Sequence, residues 1–283
     1  MMISGFTIIR NATKFSYPAE ESILSILPIC DEFIINVGDS DDKTLEMMQS
    51  LQRSYPDKIR IIENKWDLSE GKTVLSKQTN MALKECKGDW AFYLQSDEVI
   101  HEKDLANLRK IMHRYLKDEN IDTFRFQWLH FYGSYYRYRI DSGWYQKQDR
   151  IIRNNGEIES FGDAYGFQCK DGQSLKRKNT NCFLYHYGWV HSEPVMTQRR
   201  INAEKIGFTT LQQNEREREY SFGDLNRFPI YFGSHPAVMK ERIAAHHLSQ
   251  RDSAKIHRRY WWHPFKIFKI RYKTPFRLKT RIA

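Results

Sequence analysis

The sharpest chemistry in the sequence lies in Asp89-Trp90-Ala91-Phe92-Tyr93-Leu94-Gln95-Ser96-Asp97-Glu98, an apolar run that ends in two adjacent carboxylates. Oxygen donors so placed suit a hard divalent cation, and such a cation suits the charge of a departing diphosphate. The same acids would equally serve as a helix cap or sit in a first helical turn, where the dipole favours them. His186, in Tyr185-His186-Tyr187-Gly188-Trp189, is a candidate further donor. A lone histidine is often a structural hydrogen-bonder, whereas an imidazole ligand suits Mn2+ better than Mg2+. Carboxylates able to take a proton from a hydroxyl follow at Glu157, Glu159 and Asp163, the last flanked by Gly162 and Ala164. Trp144, Tyr145 and Trp189 offer aromatic faces to a sugar ring, with core packing as the alternative. Arg150 and Arg153 carry the paired donors that hold phosphate, or are solvated strand arginines.

These residues need a scaffold, and the first half of the chain supplies a regular one. Apolar runs at 6–9, 33–37, 59–62, 90–94 and 123–129 read as strands. Helical periodicity lies between them at 20–27, 44–54, 73–84 and 104–116. Strand, helix, strand in repetition means parallel strands with crossover helices, and ligands then gather at the carboxyl ends of the strands. The polar residues just after strands are Arg10-Asn11, residues 38–42, residues 63–67 and residues 95–98. Beyond residue 130 the pattern changes. Asn154-Asn155-Gly156 reads as a hairpin turn, and helices are expected at 195–218 and 236–248, the latter with Ser234 as a cap.

With these pieces in order, the first 130 residues resemble family 2 glycosyltransferases, and the Gly88–Val99 segment is the specific part of the likeness. The resemblance implies a GT-A type α/β fold: a Rossmann-like, mostly parallel sheet flanked by helices, here with a C-terminal helical and basic tail. Residues 1–130 would be the nucleotide-sugar-binding half, 131–235 the acceptor-binding half of the same domain, and 236–283 the tail. It implies a nucleotide-sugar donor, a glycan or glycolipid acceptor, and Mn2+ or Mg2+ held by Asp97 with His186. Arg10, Asn11, Asp39, Asn80, Gln95, Ser96 and Arg153 are the expected donor contacts, and Asp163, then Glu159, the expected base for an inverting transfer. Two positions depart from the family pattern. Gln95 stands where the first acid of Asp-x-Asp is usual, and Val37 where an acid usually reads the base, leaving Asp39 two residues further on.

Composition narrows the remaining classes. The net charge of +10 resides in residues 251–283, which hold eleven Lys or Arg against one acid, Asp252. The body is therefore neutral and is no general polyanion binder. Aromatics interleave with the basic residues of the tail, from Tyr260-Trp261-Trp262 to Tyr272, which suits an anionic membrane surface; a packed helix and a nucleic-acid contact are the alternatives, nucleic acid the weakest. Cys30, Cys86, Cys169 and Cys182 are scattered, as reduced thiols in a cytosol would be. The apolar run at 5–9 is too short for a leader, and no run approaches the roughly 20 residues of a membrane span, so a cytoplasmic protein, peripheral on the inner face of the membrane, is expected. Glu70-Gly71-Lys72-Thr73 is not a phosphate-binding P-loop, because Trp66 occupies the position of its first glycine. The rival readings are a sugar nucleotidyltransferase and a nucleotide-sugar-binding protein weakened by Gln95.

Overall fold

The computed structural model describes residues 1–249 apart from 142 and 208, so the basic tail at 251–283 and the membrane contact expected of it lie outside the described residues. The first half runs β1 (Ile3–Ile9), α1 (Ala19–Ile26), β2 (Glu32–Gly38), α2 (Thr44–Ser54), β3 (Ile59–Asn64), α3 (Thr73–Lys84), β4 (Trp90–Tyr93), β5 (Glu98–Ile100), α4 (Glu102–Arg114) and β6 (Thr123–Tyr132). The second half runs β7 (Tyr138–Arg139), β8 (Lys147–Arg153), β9 (Ile158–Phe161), β10 (Gly166–Cys169), β11 (Arg177–Trp189), α5 (Glu193–Lys205), α6 (Gln213–Glu217) and α7 (Lys240–Ser249).

One sheet in the order β3-β2-β1-β4-β8-β6-β11-β5 organises the molecule, with β7 beside β6. The four strands β3, β2, β1 and β4 are parallel, as alternation with helices requires. From there pairing turns mixed: β8 is antiparallel to both β4 and β6, β11 is parallel to β6, and β5 is antiparallel to β11. Both faces of the parallel part are covered, which is why every residue of β1 is buried. On one face α1, α2 and α4 pack Ile23, Met48 and Leu108 against Phe33, Ile35 and Phe92. On the other, α3 and the β9–β10 pair place Val74, Ala82 and Phe167 against Phe6, Ile34 and Tyr93. A third cluster, rich in tyrosine, joins β6 and β11 to Met239 near the start of α7.

Three local expectations are corrected. Asn154-Asn155-Gly156 is a turn, but it joins β8 to β9, which lie in different sheets; the hairpin is β9–β10, closed by residues 162–165. The helix expected over 195–218 is two, because Gly207, at φ +73°, ends the first stretch and α6 begins only at Gln213. Ser234 caps no helix: its hydroxyl meets His101 Nε2 at 2.9 Å.

Candidate active site

A cavity of about 760 Å3 opens at the carboxyl ends of β1 and β4 and runs beneath α5. Of the residues singled out from the sequence, Arg10, Gln95, Ser96, Asp97, Asp163 and His186 line it together, and so do Trp144, Tyr145 and Trp189.

Asp97 sits on the tight turn from β4 to β5, and that turn is held from below. Glu98, fully buried, accepts two charge-assisted bonds from the equally buried Arg150, Nε to Oε2 at 2.7 Å and Nη2 to Oε1 at 2.8 Å. Oε2 also accepts from the Gln95 backbone N–H at 3.1 Å, and Tyr187 N donates to the Asp97 carbonyl at 2.8 Å. So Glu98 and Arg150 are a plinth. Neither Asp97 nor Glu98 caps α4, because His101 is the cap. With the turn fixed, Asp97 Oδ2 stands 3.5 Å from His186 Nε2 and 3.8 Å from the Arg199 guanidinium of α5, with its side chain 14% exposed. Burial works to raise the Asp97 carboxyl, but His186, Arg199 and His191 outweigh it and hold it down at about 2.

The gap between Asp97 and His186 exists because residue 188 has no side chain. A Cβ on Gly188 would lie 2.5 Å from Asp97 Oδ2 and 2.6 Å from His186 Nε2. One oxygen and one nitrogen donor facing a cradle that a methyl group would fill is a donor set that fits a divalent cation. Among the described residues no cluster of three metal-ligating side chains occurs, so the remaining positions would fall to substrate oxygens and water. His186 is itself packed: Trp128 stacks on its ring at 5.1 Å and 2°, and His130 Nδ1 meets its Nδ1 at 3.0 Å. His130 Nε2 in turn reaches the Tyr145 carbonyl at 2.6 Å, and burial pushes the His130 imidazole down to about 3.

Asp163 lies on the β9–β10 turn, where Gly162 and Ala164 both adopt positive φ. Four side chains tie this turn and its strands down. Ser76 Oγ donates to the Gly162 carbonyl at 2.9 Å, Gln95 Nε2 to the Ala164 carbonyl at 3.2 Å and Arg150 Nη1 to the Tyr165 carbonyl at 3.0 Å. Asn80 brackets Ser160, donating to its carbonyl and accepting from its N–H. Gln95 thus does what a carboxylate could not: it donates to a carbonyl.

Other expected site residues are placed elsewhere. Arg153 pairs with Trp90 at the far end of β4 and spends its donors on the carbonyls of Tyr115, Leu116, Asp118 and Ile121, so it faces away from the cavity mouth. Asn80 is bound to Ser160 and does not line the cavity. Asn11, at φ +53°, accepts from Asp41 N and staples two loops. Asp39 accepts from Trp66 N at 3.0 Å and stands behind Arg10, whose Nε donates to the Asp39 carbonyl. Glu159 accepts from Gln168 across the exposed hairpin, outside the cavity lining. Sequence reasoning passed over four participants that line the cavity: His130, Gly188, Arg199 and Arg200. The arginines had a signal, since Arg199-Arg200 follow His186 by thirteen and fourteen residues and lie in the second turn of a Pro194-led helix. His130 had none, because only the β6–β11 register brings it opposite His186.

Comparison with known proteins places this geometry in context. No curated protein matches the chain. Solved structures do. The chain is similar to TarS of S. aureus at 15% identity and TM-score 0.42, covering 77% of this chain and 42% of TarS. It is also similar to the Pyrobaculum calidifontis mannosyltransferase PcManGT, solved with GDP-Man and Mn2+, at 17% identity and TM-score 0.33, covering 43% of this chain and 34% of that one. A third likeness is to Mycobacterium tuberculosis glucosyl-3-phosphoglycerate synthase, solved with Mn2+, UDP and phosphoglyceric acid, at 18% identity and TM-score 0.31, covering 45% and 43% of the two chains. The chain spans less than half the length of TarS. The profile of Glycosyl transferase family 2 matches residues 18–169, more than half of the chain, from α1 through the Asp97 turn to the end of β10. On that match, and with the GT-A type α/β fold it brings, the chain is a member of glycosyl transferase family 2.

Proposed function

We propose that this glycosyltransferase moves a sugar from a nucleoside diphosphate donor to a hydroxyl of a glycan or glycolipid, with inversion and with Mn2+ or Mg2+ held by Asp97 and His186. The observation that carries the reading is the pair of donor atoms 3.5 Å apart, facing each other across the space that Gly188 leaves open at the mouth of a nucleotide-sized cavity. A bound divalent ion there supplies charge neutralisation for the departing diphosphate. Arg199 and Arg10 on the cavity wall add fixed positive charge for the same oxygens. Asp163 accepts the proton of the attacking hydroxyl, and the ties to Ser76, Gln95 and Arg150 keep its turn from drifting. Tyr145, 53% exposed and stacked on Tyr165, offers an open face to the acceptor ring beside Asp163.

Residues 1–130 then serve the donor and 131–235 the acceptor. The basic, aromatic tail at 251–283 holds the enzyme against an anionic membrane, on the cytoplasmic face where nucleotide sugars are found, which suits a lipid-linked acceptor in the synthesis of lipopolysaccharide, capsule or another surface glycan. Thermal-shift titration with UDP, GDP, CMP and dTDP sugars, with and without Mn2+, tests the reading. One donor should raise the melting temperature in a Mn2+-dependent way, and Asp97→Ala should erase the metal-dependent part and lower kcat/KM by about 100-fold or more. If Asp97→Ala retains both, the site is misassigned.

A further inference from the structure

We propose that one side of the cavity takes an acceptor sugar ring that carries an anionic group, a carboxylate or a phosphate, and that Arg200 is the residue that selects the charge. Calling the bound sugar an acceptor rests on the transferase reading above; the preference for a negative charge does not.

Arg199 and Arg200 are consecutive on α5, so their side chains leave the helix about 100° apart. Arg199 turns to the Asp97 side: its guanidinium stands 3.8 Å from Asp97 Oδ2, donates to the Gly188 carbonyl and lies 4.3 Å over the Tyr17 ring. Arg200 turns toward the stretch before Tyr220, where its Nη2 donates to the Arg218 carbonyl. That stretch is docked on α5 by Tyr220 N, which donates to Thr197 Oγ1 at 2.8 Å, and Thr197 shares a helix face with Arg200. Here the guanidinium is incompletely satisfied. Its Nε–H is buried with no hydrogen-bond partner. Glu204, which helical spacing makes its natural counter-ion, is held instead by Arg216 and by Leu211 N. Among the described residues Arg200 has no ion-pair partner. A buried N–H left unpaired costs its desolvation, more so on a charged group, and a ligand oxygen removes that cost. A guanidinium offers two parallel N–H donors to a carboxylate or to two phosphate oxygens, so the missing partner is an anion.

The neighbours of Arg200 indicate what carries that anion. Trp144, Trp189 and Tyr220 line the same cavity, with ring centroids 5.0 Å apart for the two tryptophans and 6.2 Å for Trp189 and Tyr220. Tyr220 is fixed by its hydroxyl, 3.0 Å from that of Tyr132, and Trp144 is braced by the Arg139 guanidinium, 4.7 Å over its ring. Arg139 is paired with Asp141 and stands outside the cavity lining, so it does not compete for the ligand. A wall of rigid aromatic faces beside one charged donor suits a pyranose, whose C–H face lies on the rings while its acidic substituent reaches the cation. A linear polyol phosphate has no such face to present. Trp144 is followed by Tyr145, which stacks on Tyr165, and both line the cavity with Asp163, so the aromatic wall continues toward the proposed base. The donor diphosphate is the weaker occupant, because Arg199 and not Arg200 faces Asp97, where that group is to be neutralised.

Saturation-transfer NMR titration of the full chain tests this with three probes in the gluco and galacto series: the neutral methyl hexoside, its uronic acid and its 6-phosphate. The acidic probes should bind at least about tenfold more tightly than the neutral one, and whichever of them ranks first names the anion. Arg200→Gln should bring the acidic probes down to the level of the neutral hexoside, and Arg200→Lys, which keeps the charge but loses the fork, should fall between. Trp189→Ala should weaken all three. Saturating UDP with Mn2+ should leave the acidic probes bound. Equal affinity for the three probes in the parent overturns the proposal, as does binding of none of them. So does an acidic preference that survives Arg200→Gln, or displacement of the acidic probes by UDP, which assigns Arg200 to the donor. If Arg200→Gln fails to fold, the parent ranking and the UDP competition decide. If the acidic probes bind as expected and no nucleotide sugar does, the anionic-sugar site stands and the transferase reading falls. If nucleotide sugars bind and the three probes are alike, this proposal alone falls.

Discussion

At Asp97 two demands meet: the carboxyl must be desolvated enough to matter and yet stay ionised. Burial opposes its charge, and His186, Arg199 and His191 restore it. Gly188 is the quiet member of this group. Its missing Cβ is what keeps two donor atoms from being screened from any cation. Gly188→Ala should therefore weaken Mn2+ by about tenfold or more and also lower the melting temperature, because the added methyl must displace the Asp97 carboxylate while the His186 ring is held by Trp128 and His130. Calorimetric Mn2+ titration beside a thermal melt separates the two effects. The carboxylate was legible in the sequence, since an apolar strand running into acids announces itself. The glycine was not, because a glycine after His-Tyr says nothing until the Asp97 turn is seen to fold over it.

Among the elements, the decisive joint is the β4–β5 turn, and it stands on the buried Glu98–Arg150 pair. Glu98→Gln keeps the shape but strips the charge opposing a guanidinium that has no exposure. A loss of about 3–5 kcal/mol is expected, read as a fall in the urea midpoint. The second joint is the β9–β10 turn. Gln95→Asp trades a donor for a charge and leaves the Ala164 carbonyl unpaired. The turn carrying Asp163 should loosen, lowering kcat by about 10- to 100-fold while KM for the donor stays nearly constant. Restoring an acid at residue 95, though closer to the family pattern, should thus harm this chain. The helices α2 and α3 could be read to the residue because their periodicity is framed by Pro56 and Gly88, whereas β8 and β11 could not. In β8 the residues Asp149, Arg150 and Arg153 look like a solvated strand, but Asp149 and Arg150 are buried and paired and Arg153 is spent on carbonyls. Pairing across long sequence separations hides inward-facing charge from any local pattern. For the same reason Arg153 looked like a phosphate ligand and proved to be a clasp for the loop after α4.

On the scale of the whole molecule, the tyrosine-rich third cluster couples stability to pH through His235. Burial pushes its imidazole down to about 4, and Tyr187 OH meets its Nδ1 at 2.8 Å. The unfolded chain takes up this proton near pH 6.5, the native chain only near 4, so the unfolded state binds more protons in that window. Its contribution is therefore complete above pH 6.5 and is lost as the pH falls toward 4, about 2 kcal/mol after allowance for partial exposure. Urea unfolding at stepped pH should show this slope, and His235→Phe should flatten it. The parallel half of the sheet was foreseeable from alternation, but the strand that completes it comes from beyond residue 146. That insertion has a consequence for biogenesis. While Lys147–Arg153 is still inside the ribosome, the emerging Trp90–Tyr93 segment can pair with β1 on one edge, but its other edge is open and apolar. The nascent amino-terminal half must wait, sheltered or sticky, for a late-arriving partner, so a fragment ending at 130 is expected to clump where the longer chain folds.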